Sequence, residues 1–221
     1  MRVHTQSLRD KTAADYNAIA REWNRTRQNF WGEFEFARSL LQTQKILDAG
    51  CGNGRLIRWL RENNFKGEYL GVDFAKELLA IACQNFSCEK FKSADLRTFA
   101  LPDKFDAVFC IAVLHHFSTA TERLRVLQNL HASLAPGGRI FLTVWNLWQP
   151  RFWKFFFKSF SKELQIPFAK KVNRHVHAFT LRELRKLFHN AGFQAIEVFG
   201  AKKSERAKIF SARNLIVLAQ K

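Results

Sequence analysis

Lys45-Ile-Leu-Asp-Ala-Gly-Cys-Gly-Asn-Gly54 is a short apolar run closed by an acidic residue and followed by glycines at alternate positions. This pattern predicts a buried strand that turns sharply into a helix over about Arg55–Glu62. Gly50, Gly52 and Gly54 allow backbone conformations that a side chain forbids, and they let a ligand lie directly on the main chain. The following helix points free N–H groups and its positive dipole end at the same place. A nucleotide-like cofactor is the expected occupant. Asp48 reads both as a cofactor contact and as a partner of the helix dipole.

Downstream, Gly67-Glu-Tyr-Leu-Gly-Val-Asp73 reads as a second buried strand that ends on a carboxylate. Asp73 falls roughly 20 residues after Gly54, where dinucleotide folds place an acceptor for ribose hydroxyls. A helix over about Ala75–Gln84 and a short strand near Lys90–Lys92 lead to Ser93-Ala-Asp95-Leu96. The apolar run Lys104–Val113 is a third long strand, followed by Leu114-His-His-Phe-Ser118. Thr119–Leu134 has helical periodicity stopped by Pro136-Gly-Gly138, and Arg139–Trp145 is the next buried strand. This alternation over residues 45–145 predicts a parallel sheet with helices on both faces.

Upstream, Tyr16, Ile19, Ala20 and Trp23 share one helical face, which reads as a cap over the turn, and Phe34–Leu41 resumes a helical pattern. Residues 151–162 are basic and aromatic. On one helix Arg151, Lys154, Lys158 and Lys162 would form one face, and Phe152, Phe155, Phe156 and Phe160 the other. That segment reads first as a packed lid with lysines free to meet phosphates, and only last as a membrane-surface helix. Thr180 with Glu183 predicts a capping box, and Phe193–Val198 and Asn214–Ala219 predict the final strands.

The 221 residues, 47% hydrophobic, suit one domain over 1–221, read as cap helices (1–44), a cofactor-binding core (45–146), a basic-aromatic insertion or lid (147–178) and a C-terminal helix and strands (179–221). The cysteines at 51, 83, 88 and 110 lack metal-ligand spacing and suit neither a zinc site nor a disulfide scaffold, so no metal is expected and the thiols read as reduced and mostly buried. No stretch reaches transmembrane length, and no signal peptide is evident, so a cytoplasmic location without stable membrane association is expected. The net charge of +17 is concentrated late: residues 151–221 hold 16 Lys and Arg against 4 Asp and Glu. Such an excess favours a polyanion partner, though a merely lysine-rich surface has the same composition.

Asp48-x-Gly-x-Gly-x-Gly54, Asp73, Ala94-Asp95 and Pro136-Gly137-Gly138, in that order, resemble the class I S-adenosylmethionine-dependent methyltransferase family. The resemblance implies a doubly wound, mostly parallel, seven-stranded Rossmann-like α/β sheet with an antiparallel final strand. It also implies that S-adenosylmethionine is bound by Asp48, Gly50, Cys51, Gly52, Asn53 and Gly54, with Asp73 on the ribose and Asp95 on the adenine amino group. Phe74, Ala94, Leu96, Ile111, Ala112 and His115 would complete that wall. Asp95 can accept from an amino group while ionised, which a polar loop permits.

A narrower resemblance rests on Tyr16-x-x-Ile-Ala20, Thr26-Arg27, Trp31, Ile111–Ser118, Val144-Trp145 and Asn214–Lys221. These look like the tRNA wobble-uridine carboxymethyl methyltransferases, which esterify a 5-carboxymethyl group and often work with a small activator protein. The chain departs from that family at Arg174-His-Val-His177, where Arg-Tyr-Tyr-His is usual, and residues 151–173 and 200–213 match nothing in it. A carboxylate acceptor arrives ionised, so a cationic clamp serves it better than a base. Arg27 and Arg174 are the candidate clamp, with His116 and His177 as donors. Two alternatives stay open: a small-molecule methyltransferase acting on a quinone precursor or natural product, and a non-catalytic cofactor-binding, RNA-associated protein.

Overall fold

The computed structural model describes residues 2–26, 31–168 and 171–221, with the side chains at 2–11, 13 and 158 outside the description. Helix α1 (Arg2–Thr26) leads to a 3-10 helix (Gly32–Gln42). Then follow β1 (Lys45–Ala49), α2 (Arg55–Glu62), β2 (Glu68–Asp73), α3 (Lys76–Asn85), β3 (Lys90–Ser93), β4 (Phe105–Ile111), α4 (Ala120–Ser133) and β5 (Leu134–Trp145). The last third holds α5 (Trp153–Ser159), β6 (Glu163–Phe168), β7 (Val172–His177), α6 (Leu181–Asn190), β8 (Gln194–Lys202), β9 (Glu205–Arg206) and β10 (Asn214–Gln220).

The main sheet runs β3-β2-β1-β4-β5-β10-β8-β9. Its first five strands pair in parallel, and β10 runs antiparallel to both β5 and β8. Seven strands and the antiparallel last one match the expected sheet. The two-residue β9, paired to the end of β8, adds an eighth. Strand order reverses between β1 and β4, so the carboxyl ends of those strands open a crevice for a ligand.

Alternation along the strands assigns the two faces. Leu47, Val108 and Cys110 join the core with Val126, Leu127 and Leu130 of α4 and Leu184 and Phe188 of α6. Ile46, Ala107 and Phe109 face the other way, onto Ile57, Trp59 and Leu60 of α2 and Phe34, Ala37 and Leu40 of the 3-10 helix. Each such fully buried large side chain contributes about 1.5–3 kcal/mol relative to exposure. Thr119 and Glu122 close a full capping box on α4. On α6 only half of the expected box forms: Thr180 accepts from the Glu183 N–H, but the Glu183 carboxylate turns to His177 and Lys162.

The segment 151–162 is not one helix. α5 stops at Ser159 because Phe160 turns into the left-handed region at φ 48°, and the serine hydroxyls of Ser159 and Ser161 take over the local backbone bonding. Lys162 therefore leaves the expected basic face and pairs with Glu183 at 3.0 Å. Phe152, Phe155 and Phe156 do pack inward as expected, onto Leu147, Leu164, Ile166 and Val176, whereas Phe160 is 91% exposed. The unexpected β6–β7 hairpin forms a separate two-stranded sheet under this packing. Among the described residues no helix is long and apolar enough to cross a membrane. Cys51 and Cys110 are buried as expected, but Cys83 and Cys88 are exposed; all four are free thiols.

Candidate active site

A pocket opens at the carboxyl ends of β1, β2 and β4, roofed by Thr12, Tyr16 and Trp23 of α1. Contacts that fasten the cap include Asn53 Nδ2, which donates to Asn24 Oδ1 at 2.8 Å, and the Glu77 N–H, which donates to Asn17 Oδ1 at 3.2 Å.

The glycine turn forms the pocket floor. Gly50 sits at φ +87°, and a Cβ there would stand 2.2 Å from Cγ2 of Val113, so only glycine fits. A Cβ on Gly52 would meet nothing nearer than Leu78 Cδ1 at 4.0 Å, so its main chain faces open space where a ligand can lie. The Gly52 N–H donates to Asp73 Oδ2 at 2.8 Å, and the Ala75 N–H donates to Oδ1 at 2.9 Å. Asp73 thus shapes the turn while each oxygen keeps a lone pair for a ribose hydroxyl. Burial raises its pKa, opposed by these N–H bonds. Asp48 lies beneath the turn, accepting from Tyr69 Oη at 2.8 Å. Burial pushes its carboxyl up to about 7, against the Tyr69 bond and with the charge of Asp73 adding to the rise.

Of the residues expected to bind the cofactor, Cys51, Asn53, Phe74, Ala94, Asp95, Leu96, Ile111 and Ala112 line the pocket, whereas Gly54 and His115 do not. Gly54 instead starts α2 against Phe86. His115 is fully buried 4.8 Å from the Trp145 ring, and burial holds its pKa well below the ordinary histidine value. Ala112 occupies φ 57°, and its N–H donates to the Thr143 carbonyl at 2.9 Å, an uncommon backbone state placed in the pocket wall.

Asp95 is held by a specific partner rather than lying free in a polar loop. Arg97 Nη2 donates to Oδ2 at 2.9 Å, and Arg97 Nη1 reaches Glu122 Oε1 at 2.7 Å. Arg97, Glu122 and Arg55 line the pocket, and none was flagged by pattern. The Arg55 guanidinium lies 4.1 Å above the Trp31 ring. Its position on the first turn after the glycines was the only available signal.

The opposite wall holds His116, Tyr16, Trp23 and Trp145. His116 Nδ1 faces the His175 carbonyl at 3.0 Å, so that nitrogen carries the proton, and Tyr16 Oη donates to Nε2 at 2.8 Å. Burial takes the His116 pKa down to about 3, with the Arg174 charge helping and the His175 carbonyl opposing. His116 therefore offers no free N–H to a ligand, contrary to its expected donor role. His177 lies outside the pocket wall. It is held between Glu163 and Glu183 at 2.6 Å each, and those bonds outweigh burial to raise its pKa. It is a cationic clamp between β7, β6 and α6 rather than an acceptor contact. Arg27 lies outside the described residues.

Arg174 stands behind the same wall, 5% exposed, with its guanidinium 4.5 Å from the Trp145 ring, 4.8 Å from Phe168 and 5.7 Å from Trp23. Burial lowers its pKa, with Tyr16 and Asp15 acting the other way. Its Nε and Nη1 are buried without a hydrogen-bond partner among the described residues.

The profile of a family described as "Methyltransferase domain" matches residues 16–198. A tRNA (carboxymethyluridine(34)-5-O)-methyltransferase of Arabidopsis thaliana is 36% identical over 132 residues, covering 59% of this chain and 31% of the relative. The chain spans under a third of the length of the tRNA methyltransferases it matches. Among solved structures, a SAM-dependent methyltransferase of Methanosarcina mazei superposes with a TM-score of 0.70 at 20% identity, over 84% of this chain and 96% of the other. The methyltransferase in a complex with the Haloferax volcanii Trm112 methyltransferase activator superposes at 0.69 and 16% identity, over 93% and 96%. At those identities the two structures share the fold.

Proposed function

We propose a reaction from one premise: this chain belongs to the methyltransferase domain family and has its S-adenosylmethionine-dependent fold. The proposal is transfer of a methyl group to the carboxylate of a 5-carboxymethyl group on a tRNA wobble uridine, forming a methyl ester. Bound S-adenosylmethionine supplies an electrophilic methyl on a sulfonium. The open main chain at Gly52 and the Asp73 carboxylate fit its methionyl and ribose parts, and Phe74, Leu96 and Asp95 its adenine. Arg55, stacked on Trp31, is positioned for the methionyl carboxylate.

One observation carries the choice of acceptor. The buried Arg174 guanidinium bonds Tyr16 and lies near the Asp15 charge, yet keeps Nε and Nη1 unpartnered among the described residues and abuts two tryptophans of the pocket wall. A buried cation is costly unless paired, and a planar fork matches a carboxylate. His116 agrees with this reading, because at a pKa of about 3 it is too weak a base to activate a protonated nucleophile, and a carboxylate needs no activation. The chain's task is then to align the ionised oxygen and exclude water. Arg27 is a second candidate contact to the same carboxylate.

The homologue named for carboxymethyluridine-34 supports the tRNA acceptor, as does the basic last third. The neighbour solved with an activator supports a small activator partner for this chain. The free thiols agree with a cytoplasmic location. Mass spectrometry of tRNA nucleosides from cells lacking the gene tests the acceptor. The methyl-ester uridine should vanish and its free acid accumulate; an unchanged nucleoside profile sinks the proposal.

A further inference from the structure

α5 carries aromatic rings on both sides, and only one side is used by the fold. Phe152, Phe155 and Phe156 pack inward, with Phe156 stacked on Trp148 at 5.0 Å and 20°. Trp153, Phe157 and Phe160 point outward and are 46%, 71% and 91% exposed. They make up three of the four large exposed apolar side chains among the described residues. Trp153 and Phe157, four apart, share one helix face, and the left-handed turn at Phe160 brings the third ring out at the helix end. None of the three rings belongs to a core cluster, although the Trp153 indole N–H donates to the Trp148 carbonyl at 3.1 Å.

The segment that carries them holds charges of one sign. Residues 151–162 contain no Asp or Glu. Arg151 and Lys154 are exposed and belong to the same segment as the outward row, each lying over an inward-packed ring, 4.7 Å from Phe152 and 5.2 Å from Phe155. The inner packing of α5 runs on through Trp145, a residue that also lines the catalytic pocket. The inner packing of α5 thus reaches a wall of that pocket.

We propose that Trp153, Phe157 and Phe160 form a stacking surface for unpaired bases of a single-stranded RNA loop, with Arg151 and Lys154 on its phosphates. This deepens, and rests on, the tRNA reading above. A base presents an apolar face next to a phosphate at each step, and alternating rings and cations match that spacing without reading sequence. Splaying the loop across these rings would also unstack its bases, which a target base must undergo to enter a pocket.

The test uses the full chain and two labelled RNAs, an anticodon-type hairpin and a blunt duplex of equal charge, measured by fluorescence anisotropy over a salt series. The triple variant Trp153→Ser, Phe157→Ser, Phe160→Ser should bind the hairpin about a thousandfold more weakly, at about tenfold per ring. It should bind the duplex unchanged, with an unchanged salt slope. Arg151→Gln with Lys154→Gln should weaken both RNAs and lower the salt slope by about two. An unchanged melting temperature and unchanged S-adenosylhomocysteine affinity establish that the triple variant is folded. Hairpin binding that survives loss of the three rings overturns the proposal. So does selective loss of binding to anionic phosphatidylserine vesicles, which would make the surface a membrane contact. If the rings prove necessary for hairpin binding while tRNA nucleosides are unchanged in cells lacking the gene, the acceptor reading fails and the stacking surface stands. The converse pair of results removes only the surface.

Discussion

The hydroxyl of Tyr16 on α1 stands 2.8 Å from Nε2 of His116, and the other nitrogen of that ring is held by the His175 carbonyl on β7. Three distant segments are thereby joined through one neutral imidazole in the pocket wall. We predict that Tyr16→Phe, which leaves Nε2 a buried acceptor without its donor, lowers stability by about 1–3 kcal/mol. Acceptor turnover should fall while S-adenosylhomocysteine affinity by calorimetry stays unchanged. A collapse of that affinity would move Tyr16 to the donor side.

Asp73 holds the Gly52 and Ala75 N–H groups and faces the pocket. Asp73→Ala should weaken S-adenosylhomocysteine binding by about a hundredfold, the equivalent of one or two hydrogen bonds to a charged group. Asp73→Asn should recover only part, since the amide replaces one acceptor oxygen by a donor. Wild-type affinity in Asp73→Ala would remove the ribose assignment.

Gly50→Ala places a Cβ 2.2 Å from Val113 Cγ2 at φ +87°. The expected loss is about 2–5 kcal/mol from overpacking and backbone strain together. Adding Val113→Ala should relieve the contact but not the strain, giving partial rescue in thermal melts. Full rescue would show that the backbone conformation costs nothing.

His177 between Glu163 and Glu183 makes stability pH-dependent in both directions. Its folded pKa lies above the ordinary 6.5, so its contribution is complete below 6.5 and fades as pH rises through the folded value. Burial raises the two carboxyls but the His bonds win, bringing each from 4.5 to about 2, so their contributions are complete above 4.5 and fade toward 2. The clamp is therefore fullest between pH 4.5 and 6.5. His177→Gln should lower the melting temperature most in that window and least at alkaline pH. A uniform offset across pH would contradict the charged clamp.

Arg174→Lys keeps the charge and loses the planar fork. Acceptor kcat/KM should fall about a hundredfold, with donor affinity intact. A wild-type rate would remove Arg174 from the acceptor.

The central sheet was legible because its signals are local. Ile46 and Leu47 end at Asp48, the glycines follow at once, and α2 occupies the expected Arg55–Glu62. The β6–β7 hairpin was missed although Leu164 and Ile166 alternate inward between exposed neighbours, a period-two signal obscured by the expectation of a longer helix. The helix stop at Phe160 was not legible, because a left-handed turn at a phenylalanine has no compositional mark. His177 carried the right residue type for a cation and the wrong place for an acceptor contact. Its two glutamates come from β6 and α6, and only folding sets them against it.

The glycine turn on the pocket floor could be read from the chain alone, because one strand–turn–helix supplies it and backbone geometry dictates glycine there. The opposite wall was decided by tertiary structure. Tyr16 and His116 are a hundred residues apart, and the tautomer of that histidine, the burial of Arg174 and the exposure of Phe160 depend on which surfaces the folded segments bring together. Spacing along a chain encodes local turns, whereas desolvation and side-chain pairing across a pocket exist only once distant segments exclude water from between them.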